Sequence, residues 1–146
     1  MNSNQREIDA YREMKIMNMS QQELIVFLYE SSLELIEQAK ERIHAGDVPG
    51  THEKLDRARR IFIHLLSTLN FEAGGELAKK LSGLYAYFVE KITMANVTKN
   101  IQELDDIVPI IIGIRDSWAA IRCEVKNEAF EKNKLTENPR MVLIEA

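Results

Sequence analysis

The chain of 146 residues lacks the features of several protein classes. It has one cysteine, Cys123, which cannot form a disulfide within the chain, and this favours a reducing compartment. Its formal net charge of −4 gives no long-range attraction to nucleic acid or anionic lipid. The longest strongly apolar stretch, Ile107–Ile114, is far shorter than the roughly 20 residues of a membrane-spanning helix.

The start of the sequence also lacks a secretory signal, because residues 1–15 are polar, carry charges of both signs and include no apolar run. We therefore expect a cytoplasmic protein with no nucleic-acid partner and no segment inserted in a membrane.

The sequence does contain helical periodicity, with apolar residues at three- and four-residue steps in four segments. Ser20 and Glu23 form a capping box that starts the first segment, and Gly46 ends it. The predicted core stripes are, in chain order, Leu24, Leu28, Leu35 and Ala39, with Ile25, Ile36 and Ile43 beside them; Leu55, Ala58, Phe62, Leu65 and Leu69; Leu77, Leu81, Leu84, Phe88, Ile92 and Ala95; and Leu104, Ile107, Ile111, Ile114, Trp118, Ile121 and Val125.

The boundaries of the later segments follow from residues that end or bend helices. Gly74-Gly75 is expected to relieve a tight turn after the second helix, and Asn96 to end the third because asparagine tolerates left-handed backbone geometry. The fourth helix should start near Thr98 and bend at Pro109, which has no N–H to donate.

The connections between the helices are short, so consecutive helices must be antiparallel. The predicted fold is all-α: an antiparallel up-down-up-down four-helix bundle with an additional short N-terminal helix. We assign residues 1–19 to an N-terminal cap segment, residues 20–127 to the bundle and residues 128–146 to a flexible tail.

No set of residues has the spacing of a catalytic or metal site. Glu41 and His44 match the Glu-x-x-His step of di-iron bundles, but the sequence has no second copy of that step. His52 and His64 are expected on the surface, because the core stripe of the second helix passes through other positions. We therefore predict no enzymatic activity, no cofactor and no metal.

The informative feature is an excess of apolar residues. Those in Ile107–Ile114 surround the whole circumference of the fourth helix, although a bundle needs one stripe per helix. The third helix adds Tyr85, Tyr87 and Val89 beyond its predicted core stripe. The chain's own N-terminal segment could cover this surplus, or the surplus could form a groove for a partner helix. The two interpretations are compatible, because a better ligand could displace a weakly docked segment.

Several segments, taken in order, resemble the FliS family of flagellar export chaperones. They are the pair Ile8 and Tyr11, SQQELIVFLY at 20–29, FEAGGELA at 71–78, LYAYFVEKITMAN at 84–96 and RDSW at 115–118. The resemblance implies a helical bundle that binds the disordered C-terminal segment of flagellin, prevents premature polymerisation and delivers its client to the export gate. The cytoplasmic domain of the gate protein FlhA would receive the loaded chaperone.

The resemblance also suggests roles for individual residues. Ile8 and Tyr11 would be cap or gate contacts, and we expect groove contacts with the partner at Tyr85, Val89, Val108 and Ile112. Binding of an anti-sigma factor or a FliW-like regulator stays open. The alternative function is a self-associating helical structural or adaptor protein, or a co-chaperone of the flagellar system that does not bind flagellin.

Overall fold

The structure is a computed structural model that describes residues 3–121. These residues form helices joined by short turns and contain no strand, which confirms the all-α prediction. The described residues divide into two compact units, one comprising residues 3–26 and 116–121 and the other Phe27–Arg115. Cys123, Val125 and the predicted tail at 128–146 lie outside the described residues.

Five helices have defined bounds: α1 (Ser3–Met17), α2 (Gln21–His44), α3 (Val48–Ser67), α4 (Phe71–Thr98) and α5 (Ile101–Asp105). After a turn at 106–107, residues 108–121 are again helical, and we call them the 108–121 helix. The predicted start of the first long helix is confirmed, because the backbone N–H of Glu23 donates to the Ser20 hydroxyl at 3.2 Å.

The turn between α2 and α3 is built from residues suited to it. Gly46 takes a positive φ of 69°, which has little steric cost in glycine. Asp47 is the N-cap of α3, and its carboxylate accepts a hydrogen bond from the Gly50 N–H at 3.0 Å. Pro49 lies in the first turn of α3, where a missing N–H leaves no hydrogen bond unmade.

The turn between α3 and α4 lies earlier than predicted. Asn70 is the N-cap of α4, and its side chain accepts from the N–H groups of Glu72 and Ala73 at 3.1 and 3.0 Å. The prediction that Gly74-Gly75 form this turn is wrong. Gly75 instead kinks α4, with φ 51° and ψ −125°, a conformation that a residue with a Cβ rarely adopts.

The prediction that α4 ends at Asn96 is also wrong. The helix continues to Thr98, and Lys99 ends it in left-handed geometry with φ 56°. The Lys99 ammonium donates to the Asn96 side chain at 2.9 Å, which helps to hold this uncommon conformation. Asn100 then caps α5 by accepting from the Gln102 N–H at 3.0 Å, so the next helix starts at Ile101 rather than near Thr98.

The predicted fourth helix is interrupted close to Pro109, where a bend was expected. Regular helix stops at Asp105 and resumes at residue 108. Pro109 has no N–H to donate back to the turn before it, so it is tolerated in the first turn of a new helix but not inside a continuous one. Between the two helices the Ile107 N–H bonds to the Leu104 carbonyl at 3.1 Å in a tighter turn.

Within the unit Phe27–Arg115 the helices alternate in direction. The side chain of His52, early in α3, meets Asn96, late in α4, at 2.8 Å between nitrogens. Phe62, late in α3, meets Phe88 in the middle of α4 with ring centroids 5.1 Å apart and an edge-to-face angle of 62°. α3 and α4 are therefore antiparallel, and the short connections on either side reverse the direction again for α2 and α5.

The core follows the predicted stripe in α3, where Leu55, Ala58, Phe62 and Leu65 are buried. In α2 and α4 the stripe is rotated, because steps of three and four residues permit either of two neighbouring positions. Tyr29 replaces Leu28 in the buried stripe of α2. Ala78 and Tyr85 replace Leu77 and Leu84 in that of α4, where the buried set is Ala78, Leu81, Tyr85, Phe88, Ile92 and Ala95.

The N-cap of α3 gives a direct test of these local rules. We expect Asp47→Ala to lower the free energy of unfolding by about 1 kcal/mol, because the Gly50 N–H loses its acceptor. Urea unfolding followed by circular dichroism measures this loss. Glu90→Ala, an exposed change in the middle of α4, should cost less than about 0.5 kcal/mol. Equal effects of the two substitutions would show that the cap does not stabilise the helix.

Candidate partner-binding surface

The 108–121 helix has more apolar residues than the core of the bundle can bury. Ile107 and Ile111 are fully buried, as is Leu104 in α5. Four more aliphatic side chains around the 108–121 helix stay half-buried: Val108, Ile110, Ile112 and Ile114. Because residues on a helix are about 100° apart, these four flank the buried stripe on both sides. The helix therefore presents apolar surface toward each of its neighbours.

Lys91 shows which side of α5 faces α4. Its ammonium donates to Glu103 and to Asp106, each at 2.9 Å. Both hydrogen bonds raise the pKa of Lys91, the one to Glu103 more than the one to Asp106. The Lys91 ammonium also lies 5.8 Å from the centroid of the Tyr87 ring. The side of α5 that carries Glu103 is thus fixed against α4.

Lys40 shows which side of α5 faces α2. Its ammonium lies 2.7 Å from the Asp105 carboxylate, and the hydrogen bond to Asp105 raises the pKa of Lys40. Leu104, Ile107 and Ile111 are all buried, so the buried stripe keeps its direction through the turn at 106–107. Val108 and Ile112, three and seven residues after Asp105, therefore lie on the same side of that stripe as Asp105. Leu33 precedes Lys40 by seven residues on the antiparallel α2 and is half-buried like them. We call Leu33, Val108 and Ile112 the α2 seam.

The opposite side forms a second apolar strip. On α4, Leu84 and Tyr87 lie seven and four residues before Lys91 and so share its side of the helix. Ile110 and Ile114 lie seven and eleven residues after Glu103, on the side that faces α4. We call these four residues the α4 seam. Tyr87 is 36% exposed, and the other three are half-buried. Leu84 and Ile114 were predicted in the core stripe but are only half-buried in this strip. The opposite charges of Lys91 and Glu103 were the signal for the pairing of these two sides.

Val89 lies on neither seam. It precedes Asn96 by seven residues, and Asn96 contacts His52, so this side of α4 faces α3. Val108 and Ile112 therefore share one side of their helix, whereas Val89 lies on the side of α4 that faces α3.

Tyr85 was expected beyond the core stripe, and this expectation is wrong. Its side chain is 2% exposed and lies between Tyr29 and Phe62, with ring centroids 6.3 and 6.2 Å away. The Tyr85 hydroxyl is hydrogen-bonded to that of Tyr29. Burial raises the pKa of Tyr85, and the Tyr29 hydroxyl partly offsets the change. Tyrosine can occupy the core here because its polar end has a partner there.

Ile8 and Tyr11 lie on α1, in the other unit, and are 45% and 68% exposed. They line one shallow depression of the helix surface together with Asn4, Glu7, Arg12 and Lys15. No residue of α1 is buried, so the helix offers an apolar pair within a polar and charged surround. Met14 and Met17 extend the apolar surface toward the end of α1, at 63% and 83% exposure.

Within residues 3–121, no three His, Cys, Asp or Glu side chains come together in a way that could hold a metal ion. His44, His52 and His64 are exposed, as expected for His52 and His64. In the same stretch no helix is both long and apolar enough to cross a bilayer. Two arginines of α3 are paired locally, because Arg59 and Arg60 each lie 2.9 Å from Asp56.

Comparisons with known proteins indicate one family. A family model described as flagellar protein FliS matches residues 3–125. The flagellar secretion chaperone FliS of Vibrio cholerae is 33% identical over 124 residues, covering 82% of this chain and 91% of that protein. The flagellar secretion chaperone FliS of Campylobacter jejuni is 32% identical over 113 residues, covering 77% and 88%. A crystal structure described as a flagellar chaperone from bacteria has a TM-score of 0.68 at 22% identity, covering 81% of this chain and 98% of that one, and shows the same fold.

The buried tyrosine pair can be tested by a double-mutant cycle. We expect Tyr29→Phe and Tyr85→Phe each to lower the free energy of unfolding by about 1–2 kcal/mol, since each change removes the hydrogen bond between the two hydroxyls. The double variant should lose less than the sum, by at least about 0.5 kcal/mol. Tyr87→Phe is the exposed control and should change little. Strict additivity in urea unfolding would contradict a direct bond between the two side chains.

The Lys91 contacts predict a dependence on pH. Hydrogen bonds from the Gln102 amide and, to a smaller extent, from the Lys91 ammonium lower the pKa of Asp106. The Asp106 carboxylate therefore stabilises the fold above an ordinary carboxyl pKa of about 3.9. This stabilisation is lost as the pH falls through the pKa of Asp106 in the folded protein. Lys91→Met should therefore reduce stability more at pH 7 than at pH 2, as measured by urea unfolding. Lys79→Met, which breaks an exposed pair with Glu76, should show no such difference. A loss of equal size at both pH values would contradict the assignment.

Proposed function

Because this chain belongs to the FliS family of flagellar secretion chaperones, we propose that it binds the disordered C-terminal segment of flagellin and keeps it from polymerising before export. Flagellin termini assemble by helix packing, so a chaperone that buries one terminus removes a polymerising surface. The action is competitive binding and requires no catalysis. It would take place in the cytosol, before the client enters the export gate.

The observation that carries this proposal is the half-buried aliphatic surface on both sides of the 108–121 helix. A helix in a bundle needs one apolar stripe, and an amphipathic partner helix can cover the additional ones. Burial of roughly 1,000 Å² of apolar surface corresponds to a gross gain of about 25 kcal/mol. Ordering a disordered client and restricting its motion consume much of this gain, which leaves micromolar to nanomolar affinity.

We further propose that residues 1–19 act as a cap segment and 20–127 as the client-binding bundle. Ile8 and Tyr11 are exposed on α1, which makes them available for a contact with the cytoplasmic domain of the gate protein FlhA. Val89, Val108 and Ile112 are proposed client contacts on different sides of the bundle, which suits a client that wraps around it. Tyr85 would support the surface from beneath.

The proposal predicts that a peptide of the flagellin C-terminal segment binds with measurable heat in titration calorimetry. We expect Val108→Ala and Ile112→Ala each to weaken binding about tenfold, because each removes apolar contact area from the client. Val97→Ala is the control, since Val97 is 74% exposed on the outer face of α4 and should leave affinity unchanged. Absence of heat together with absence of co-elution would reject the proposed function.

The gate contact can be separated from client binding. We expect the double variant Ile8→Ala and Tyr11→Ala to lose binding to the cytoplasmic domain of FlhA while retaining or improving affinity for the flagellin peptide. An improvement would identify α1 as a competing cap. Normal FlhA binding by this variant would contradict a gate role for the pair.

The alternative function is self-association, in which the surplus apolar surface pairs with a second copy of the chain. Light scattering with and without the flagellin peptide distinguishes the two. A monomer that binds the peptide supports the chaperone, whereas a dimer that the peptide does not dissociate supports the structural alternative.

A further inference from the structure

The α2 seam is bordered by negative charge on one side. Glu30, Glu34, Glu37 and Glu41 recur on α2 at steps of four, three and four residues, and all four are exposed. Around the circumference of α2, the buried Ala39 comes first, then Lys40, then Glu37 and Glu41, at intervals of about 100° or less. The glutamate stripe therefore lies just outside the seam, on the side away from the core.

Among residues 3–121, little positive charge compensates this stripe. The Lys40 ammonium lies 2.7 Å from Asp105 but 3.8 Å from Glu37. In the same part of the chain, Glu34 accepts a hydrogen bond only from the uncharged Gln38 amide, at 3.5 Å. Glu30 and Glu41 have no ion-pair partner among residues 3–121. With Asp105, the border holds five carboxylates against one ammonium, an excess equal to the formal net charge of −4 of the whole chain.

On the described outer faces of α3 and α4, by contrast, several carboxylates are paired with a lysine or arginine. On α3, Arg57 lies 3.9 Å from Glu53, and Asp56 pairs with both Arg59 and Arg60. On α4, Lys79 lies 3.8 Å from Glu76. The uncompensated carboxylates are thus concentrated beside the α2 seam, where half-buried aliphatic side chains are available for contact.

From these observations we propose that the α2 seam binds an amphipathic helix whose apolar stripe is bordered by lysine or arginine on the side that faces α2. The inference rests on the proposed function and specifies the chemistry of the segment that seats there. The apolar stripe would contact Leu33, Val108 and Ile112, and the basic flank would lie along the glutamates. A helix with acidic flanks is rejected at the same site by like-charge repulsion.

The test uses two labelled 18-residue amphipathic peptides with the same apolar stripe, one flanked by lysine and one by glutamate, and measures their affinity for the full chain by fluorescence anisotropy. We expect the lysine-flanked peptide to bind at least tenfold more tightly at low salt. This preference should shrink at about 0.5 M salt, where charges on a surface are screened over a few Å. Equal affinities of the two peptides would overturn the proposal.

Two variants locate the effect. The first is a triple variant on α2, which combines Glu30→Gln, Glu34→Gln and Glu37→Gln. It should weaken binding of the lysine-flanked peptide five- to twentyfold and remove most of the salt dependence of that binding. The matched control, Glu53→Gln with Glu76→Gln and Glu90→Gln, makes the same charge change on α3 and α4 and should stay within twofold of the original chain. If the control weakens binding as much as the α2 variant, the charge acts without regard to site and the proposal fails.

The apolar residues of the α2 seam need their own variant, because the glutamine variants change only its charged border. Ile112→Ala should weaken the lysine-flanked peptide severalfold in a protein whose thermal unfolding confirms that it is folded, whereas Val97→Ala should not. The flagellin peptide separates this inference from the proposed function. Its normal binding by the α2 glutamine variant would leave the chaperone function intact while placing its client elsewhere. A second copy of the chain that occupies the seam, detected as an Ile112-dependent dimer in light scattering, would also overturn the inference.

Discussion

A helix in a bundle can turn one stripe of its surface into the core, and the 108–121 helix carries branched aliphatic residues on more than one. The rest of the candidate site depends on this constraint. With Ile107 and Ile111 in the core, Val108 and Ile112 must lie toward α2 and Ile110 and Ile114 toward α4. The surplus is therefore two narrow seams on either side of one helix rather than one broad groove.

Two lysines from different helices hold the chain just before these seams. Lys40 of α2 contacts Asp105, and Lys91 of α4 contacts Glu103 and Asp106. Charged hydrogen bonds of this length are among the stronger polar contacts in proteins. They fix the rotation of α5 around its axis immediately before the interruption near Pro109. The helix that follows thereby starts in a set direction, with a defined side toward each neighbour.

Much of the fold was predictable because its signals are local. The hydroxyl of Ser20 and the three- and four-residue steps of α3 act within one helical turn, so the sequence indicates them directly. Errors arose where two local solutions were nearly equal. Leu84 and Tyr85 both continue the stripe of α4, and only the Tyr29 hydroxyl on another helix makes the buried tyrosine acceptable. Likewise, Asn70 caps α4 early enough that Gly75 becomes a kink rather than a turn.

The sequence alone was enough to show that the chain is helical, where its first long helix begins, that its last predicted helix has surplus apolar residues, and which family it resembles. The rotation of each helix against its neighbours, and hence the placement of Val89 and Ile112 on different sides, became known only from the packed structure. The difference lies in the sequence separation of the contacts, because helical periodicity and caps reflect contacts between residues close in sequence. The rotation of a helix is set instead by pairs such as Lys40 with Asp105 and Tyr29 with Tyr85, which meet only when distant segments pack together.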